Sequence, residues 1–196
     1  MYKLAAKLFK VNEVLSVEDF YIYEIRKKIV VYVPPELADN LSAKMSIAGA
    51  GRIGNYQMCS FRTSGTGTFR PVKNAKPFTG KKNVLNNVAE VKLEMECSPE
   101  QLNKLVSSLI KNHPYDEAVY EIYNFRKRVE KSSGLTLGLK PDFNFADLFM
   151  RINKTIIENK LFLKPEIKRL ALINSEINET MMESAKLINC KYIISQ

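Results

Sequence analysis

Apolar and polar positions along the chain fall into blocks of different period, and each period predicts an element. Ile29–Val33 (IVVYV) is a continuous apolar run, the pattern of a strand buried on both faces, and Pro34-Pro35 ends it and presets a helix start. From Glu36 onward Leu37, Leu41, Met45 and Ala48 share one helical face, and Gly49 stands where a left-handed C-terminal cap is expected. Ser64-Gly65-Thr66-Gly67 reads as a turn, which makes Ile53–Arg62 and Thr68–Pro71 an antiparallel pair. A polar loop through Asn74, Pro77, Gly80 and Asn83 follows. Ala89, Val91, Leu93, Met95 and Cys97 then alternate with Glu90, Lys92, Glu94 and Glu96, a strand with one dry and one wet face. Ser98-Pro99-Glu100-Gln101 reads as a capping box with proline at the first helical position, ahead of Leu102, Leu105, Val106, Leu109 and Ile110 at helical spacing. After a turn at His113-Pro114, Ala118–Tyr123 returns as a strand.

The order is two strand–helix–strand halves around one antiparallel sheet, which predicts an α+β, ferredoxin-like sandwich over residues 29–127. Ahead of it, residues 1–28 read as an arm: an amphipathic turn or two through Leu4, Leu8 and Val11, then the extended stretch VLSVEDFYIYEI. Behind it, Arg126–Pro141 reads as a basic connector with a domain boundary near Lys131, so that residues 128–196 are a linker plus a partial α/β unit. That unit comprises a helix from Asn144, a strand Ile167–Ile173, a helix Ile177–Ile188 and a strand Lys191–Ser195.

Composition narrows the class. A chain of 196 residues with 45% hydrophobic residues builds real cores. The three cysteines, Cys59, Cys97 and Cys190, are odd in number and far apart, which suggests neither a disulfide framework nor a paired-cysteine zinc site, and fits a cytoplasmic location. No targeting signal and no membrane-spanning run is read at the start of the chain. The net charge of +9 is spread evenly, +2 over residues 1–33, +4 over 34–127 and +3 over 128–196. Its densest clusters, Arg26-Lys27-Lys28 and Arg126-Lys127-Arg128, are short, so a nucleic-acid groove is not the expected use of it.

Gly49-Ala50-Gly51-Arg52-Ile53-Gly54 matches the dinucleotide pattern G-x-G-x-x-G in the reverse context. The glycines close a helix where the dinucleotide fold needs them to open one, so a phosphate would meet the wrong end of the dipole. A cap and a tight bend is the better reading. Arg52, Asn55 and Tyr56, with Gly51 and Gly54, are candidates for a ligand cleft or an interface facing the HPY turn at His113 and Tyr115, with a small molecule or anion as ligand. His113 is expected to bond the last carbonyls of the helix it follows, with a ligand contact as the alternative. Asp116 and Glu117 are adjacent, which points them to opposite faces of an extended chain and makes them a poor acid–base pair. No catalytic set is assigned.

VYVPPELADNLSAKMSIAGAGRIGNYQMCSFRTSGTGTFRP followed by NHPYDEAVYEIY closely resembles the insert domain of the NIF-three-like (YqfO-type) family, a ferredoxin-like module related in shape to PII signalling proteins and CutA. LAAKLFKVNEVLSVED resembles the tail of that family's first half, and IKRLALIN with AKLINCKYIIS resembles the opening of its second half. The resemblance implies type 2 GTP cyclohydrolase homologues built around two divalent metal ions, with ligands before the insert and near the C-terminus. Neither ligand set is in this sequence, whose one histidine is His113, and the flanking halves are expected to be truncated. The expectation is therefore a metal-free, non-catalytic module that forms homo-oligomers through the insert or binds a small ligand. The alternative is part of a two-metal hydrolase whose ligands lie outside this chain.

Overall fold

In the computed structural model the residues described are 2–129, 131–143, 148, 169–173, 177–190 and 192–195. They divide into two compact units, one of residues 25–126 and one of residues 1–24 with 127–196.

The unit of residues 25–126 is built on a four-stranded sheet. Its elements are β2 (Tyr23–Val33), α2 (Ala38–Ile47), β3 (Phe61–Phe69), β4 (Asn86–Cys97), α3 (Leu102–Asn112) and β5 (Tyr120–Arg128), with strand order β3-β4-β2-β5. β4 runs antiparallel to both β2 and β3, which with two strand–helix–strand halves is the ferredoxin-like arrangement. The period-2 pattern of β4 does what it predicts: Val91, Leu93, Met95 and Cys97 are buried, while Lys92, Glu94 and Glu96 are half-buried on the other face. Ile29, Val31 and Val33 join the buried set, and Leu41, Met45, Leu105 and Leu109 of the two helices close over it. Each such side chain, fully removed from water, contributes roughly 1.5–3 kcal/mol.

Helix α2 ends as expected. Gly49 takes φ +115° and its N–H donates to Ser46 O at 2.9 Å, while the Ala50 N–H donates to Met45 O at 3.0 Å. This pair of bonds is a Schellman closure. The capping box at Ser98 does not form: Ser98 makes no side-chain cap, and a 3-10 turn over Pro99–Gln101, with the Gln101 N–H on Ser98 O, leads into α3 instead.

The expected turn at Ser64–Gly67 is also absent. Residues 61–69 are one uninterrupted strand paired with β4 from Phe61↔Glu94 to Phe69↔Asn86. The glycines there serve packing rather than reversal. A Cβ on Gly67 would stand 2.1 Å from Glu90 Oε2, so the missing side chain is the space that the Glu90 carboxylate fills.

In the second unit the amphipathic turns and the extended stretch expected in residues 1–28 are α1 (Tyr2–Leu8) and the strand β1 (Val14–Phe20), while the stretch read as a connector contains a strand, β6 (Gly134–Leu139), buried at every position. β1 pairs antiparallel with β6, β6 with β7 (Arg169–Ile173), and β7 parallel with β8 (Tyr192–Ser195). β6 is short and interrupted by Gly134 and Gly138, so its basic surroundings dominated the sequence pattern. Its Gly138 sits against Ser16 and its Gly134 against the Leu172 backbone. The predicted strand–helix–strand is present as β7, α4 (Glu179–Leu187) and β8. One apolar cluster gathers Leu8, Phe9, Leu137, Leu139, Leu148, Leu170 and Leu172, another Phe20, Ala171, Ile173, Met181, Ala185 and Cys190. Of the helix predicted from Asn144, only Leu148 is among the described residues, helical and buried.

Candidate functional site

On the ferredoxin-like unit a cleft of about 740 Å³ opens along β3 and is closed by the loop after it and by the HPY turn. Strand pairing fixes the floor, since Tyr32, Lys92 and Thr63 are register partners across β2, β4 and β3, and all three line the cleft. Phe78 from the loop and Tyr115 from the turn form its aromatic side, ring centroids 6.1 Å apart and planes tilted by 46°.

Tyr115 is held at two points. Its hydroxyl donates to Glu90 Oε1 at 2.9 Å, and its backbone N–H donates to Nδ1 of His113 at 3.2 Å. Burial, reinforced by the Glu90 carboxylate, drives the phenol far above its ordinary range, so it stays a neutral donor.

His113 stands behind this turn, 8% exposed. Its Nε2 lies 2.9 Å from Tyr32 O. A carbonyl only accepts and an amide N–H only donates, so Nε2 carries the hydrogen, Nδ1 is bare and the ring is neutral. Burial lowers its pKa against the raising effects of the Tyr32 carbonyl and Glu90. The expected bond from the ring to the carbonyls of its own helix is not made: the Tyr32 carbonyl of the neighbouring strand, facing the buried ring, takes it. What links His113 to α3 is its backbone N–H on Leu109 O.

The glycine bend does not join this site. The Gly51 N–H donates to Glu96 O at 2.7 Å, and Gly51 O accepts from the Cys59 N–H at 2.9 Å. Gly51 has φ +70°, and a Cβ there would meet Cys59 O at 2.6 Å, so only glycine fits. Ile53 and Tyr56 exchange both backbone bonds around Gly54, leaving Arg52, Gly54, Asn55 and Tyr56 exposed at the tip. Glu96 and Glu90 are six residues apart on β4, roughly 20 Å at strand rise, so bend and HPY turn sit toward opposite ends of the sheet. The predicted set is thereby split: Tyr115 lines the cleft with His113 bonded behind it, while Gly51, Arg52, Gly54, Asn55 and Tyr56 do not line it.

Glu90, Tyr32 and Phe78 escaped the sequence reading. Glu90 is one of several acidic residues on a wet strand face, and the signal that marks it is a glycine, Gly67, on the strand beside it.

Among the described residues no group of three or more His, Cys, Asp or Glu side chains is placed to hold a metal ion. Both His113 ring nitrogens are taken by backbone groups, so the described donors do not fit a bridged metal pair. No helix among them is long and apolar enough to cross a membrane.

No family model matches the sequence. It is 43% identical over 112 residues to the GTP cyclohydrolase 1 type 2 homolog of Halalkalibacterium halodurans, covering 57% of this chain and 29% of that protein. To the protein of the same name in Bacillus subtilis it is 32% identical over 158 residues, 78% of this chain and 42% of that one. To that of Listeria innocua it is 31% identical over 183 residues, 90% and 48%. Among solved structures, the Bacillus cereus protein related to NIF3 aligns with a TM-score of 0.47 and 25% identity, over 98% of this chain and 51% of that one. The PII-like protein CutA from Nostoc aligns with a TM-score of 0.37 and 16% identity over 50% and 78%. The chain spans less than half the length of the curated relatives it matches, and over that span it is a sequence relative of the GTP cyclohydrolase 1 type 2 homologues.

Proposed function

We propose that this chain is a non-catalytic module that binds a small ligand in the cleft of its ferredoxin-like unit and self-associates. The cleft carries the reading: about 740 Å³ is room for a small organic molecule, and Tyr115 and Glu90 are fixed in its wall by each other. The non-catalytic reading is supported by the chain's single histidine, whose two ring nitrogens are both engaged by backbone groups. Self-association is supported by β3 and β5 standing at the two edges of the sheet, with Phe61 of β3 67% exposed. A cytoplasmic location suits a chain with three unpaired cysteines.

The test is metal analysis and light scattering on the same purified sample. The reading expects metal at background and a particle larger than one chain. A stoichiometric pair of ions sinks the non-catalytic half, and a strict monomer at high concentration sinks the self-association half.

The relatives' name, GTP cyclohydrolase 1 type 2 homolog, taken with the family resemblance of the sequence, supports a second reading, a part of a two-metal hydrolase completed by residues outside this chain. Turnover of GTP appearing only when a longer relative or partner chain is added, with metal bound to the complex, would establish it over the first.

A further inference from the structure

We propose that the ligand of this cleft is an organic cation, an ammonium carried on an aromatic or aliphatic frame. The inference rests on the ligand-binding reading above and adds the class of ligand.

Charge is the first observation. The whole chain carries +9, yet three carboxylates line the cleft, Glu90, Asp116 and Glu117, against two cations, Arg70 and Lys92. Lys92 is committed elsewhere, with its Nζ 2.6 Å from Glu94 Oε1. Arg70 turns back into the loop, where its Nε–H donates to Asn83 O at 3.2 Å. Asp116 Oδ2 in turn accepts the Lys76 N–H at 2.9 Å, so its own charge is partly engaged. With Lys92 paired to Glu94, three carboxylates stand in the cleft against the one guanidinium of Arg70, a balance that favours a positive ligand over a phosphate or carboxylate.

Shape is the second. Glu90 offers Oε1 to the Tyr115 hydroxyl and keeps Oε2 over the bare Cα of Gly67. Tyr115 is bonded to it, Phe78 stands 6.1 Å from the Tyr115 ring, and Tyr32 lines the same cleft. A carboxylate in a cleft with aromatic rings is a combination that recognises an ammonium, through a charge-assisted hydrogen bond and cation–π attraction together. The apolar frame of such a ligand has Pro71, Val72 and Val119 of the same cleft to lie against.

The chain contains no tryptophan, so an indole probe can be followed by its own fluorescence. Tryptamine and indole-3-propionate have the same ring and opposite charge, and each is titrated into the full chain at neutral pH and low salt. Tryptamine is expected to bind at least roughly ten-fold tighter, the worth of one cation–π contact or charged hydrogen bond. Glu90→Gln should remove most of that preference, and Glu117→Gln, at an exposed position, should reduce it if Glu90→Gln does not fold. Equal or tighter binding of the propionate overturns the cation assignment and leaves a ligand cleft standing. Failure of both probes to bind at millimolar concentration overturns the cation and the ligand cleft together. A tryptamine preference unchanged in both folded variants also overturns the assignment.

Discussion

The backbone N–H of Tyr115 donates to Nδ1 of His113 at 3.2 Å, and this bond exists only while the imidazole is neutral. Protonation would set two N–H groups against each other at the turn that holds one wall of the cleft. The two residues therefore tie the geometry of the HPY turn to the charge on one ring.

A pH dependence follows. Burial holds the folded pKa of His113 below its ordinary 6.5, so as pH falls the unfolded chain takes up this proton first. The stability linked to His113 is present above that ordinary value and is lost as pH falls from it toward the lower folded pKa. The urea midpoint should drop with acidification across this range. In His113→Gln the chain should be roughly 1–2 kcal/mol less stable at neutral pH, from the lost bonds, and this part of the acid slope should flatten. An unchanged slope in the variant refutes the assignment to His113.

Two glycines in strands should respond unequally to alanine. Neither Gly67 nor Gly134 has a positive φ, so space alone decides. At Gly67 the new Cβ meets the end of the flexible Glu90 side chain at 2.1 Å, which can swing away. Gly67→Ala should change stability by less than about 1 kcal/mol while displacing Glu90 from Tyr115, visible as a shift of the Tyr115 ring resonances. At Gly134 it meets the Leu172 backbone oxygen at 1.9 Å, and neither partner can move without breaking the β6–β7 ladder. Gly134→Ala should cost more than about 2 kcal/mol, measured as the loss in urea-unfolding free energy. Equal effects at the two sites would contradict the packing described.

Thiol chemistry should separate the three cysteines. Burial pushes the Cys190 thiol up to about 11 and raises Cys97, and both are buried, whereas Cys59 is half-buried beside the glycine bend. The thiolate is the reactive species, so mild labelling of the native chain should modify Cys59 alone, and all three should react after denaturation. Rapid native labelling of Cys97 would mean that the core of the ferredoxin-like unit opens readily.

What the sequence made legible is what a period can encode. The alternation through β4, the apolar face of α3 and the left-handed Gly49 are local facts, and each recurs in the structure. What it hid is what depends on pairing. Gly65 and Gly67 carry turn chemistry by composition, yet β3 runs straight through them because β4 supplies hydrogen-bond partners and Glu90 fills the gap. β6 is too short and too rich in glycine to announce itself, and its burial comes from β1 and β7, which are distant in sequence. The candidate site was half legible for the same reason. His113 and Tyr115 lie two residues apart in one motif, but Glu90 reaches Tyr115 from another strand, and the glycine bend that sequence joined to them is held at the far end of that strand.

The C-terminal end of α4 offers a test of a position where asparagine replaces the expected glycine. Asn189 has φ +57°, its N–H donates to Lys186 O at 3.1 Å, and the Cys190 N–H donates to Ala185 O at 2.8 Å. These are the two bonds that close α2 at Gly49, so the second helix uses the same closure with a residue that tolerates the left-handed region less well. Cys190, which follows, is buried against Phe20, Ala171 and Ile173, so the turn also sets how the chain enters that core. Asn189→Ala keeps the Cβ but removes the polar side chain that lets asparagine tolerate the left-handed region, which alanine disfavours by roughly 1–2 kcal/mol, and the chain should lose up to that much. Asn189→Gly keeps the conformation without strain and should leave stability unchanged within about 0.5 kcal/mol, because the unfolded chain gains freedom as the strain is removed. The unfolding free energies of the two variants decide it: alanine matching glycine would show that the left-handed turn contributes nothing to holding α4 against β7 and β8.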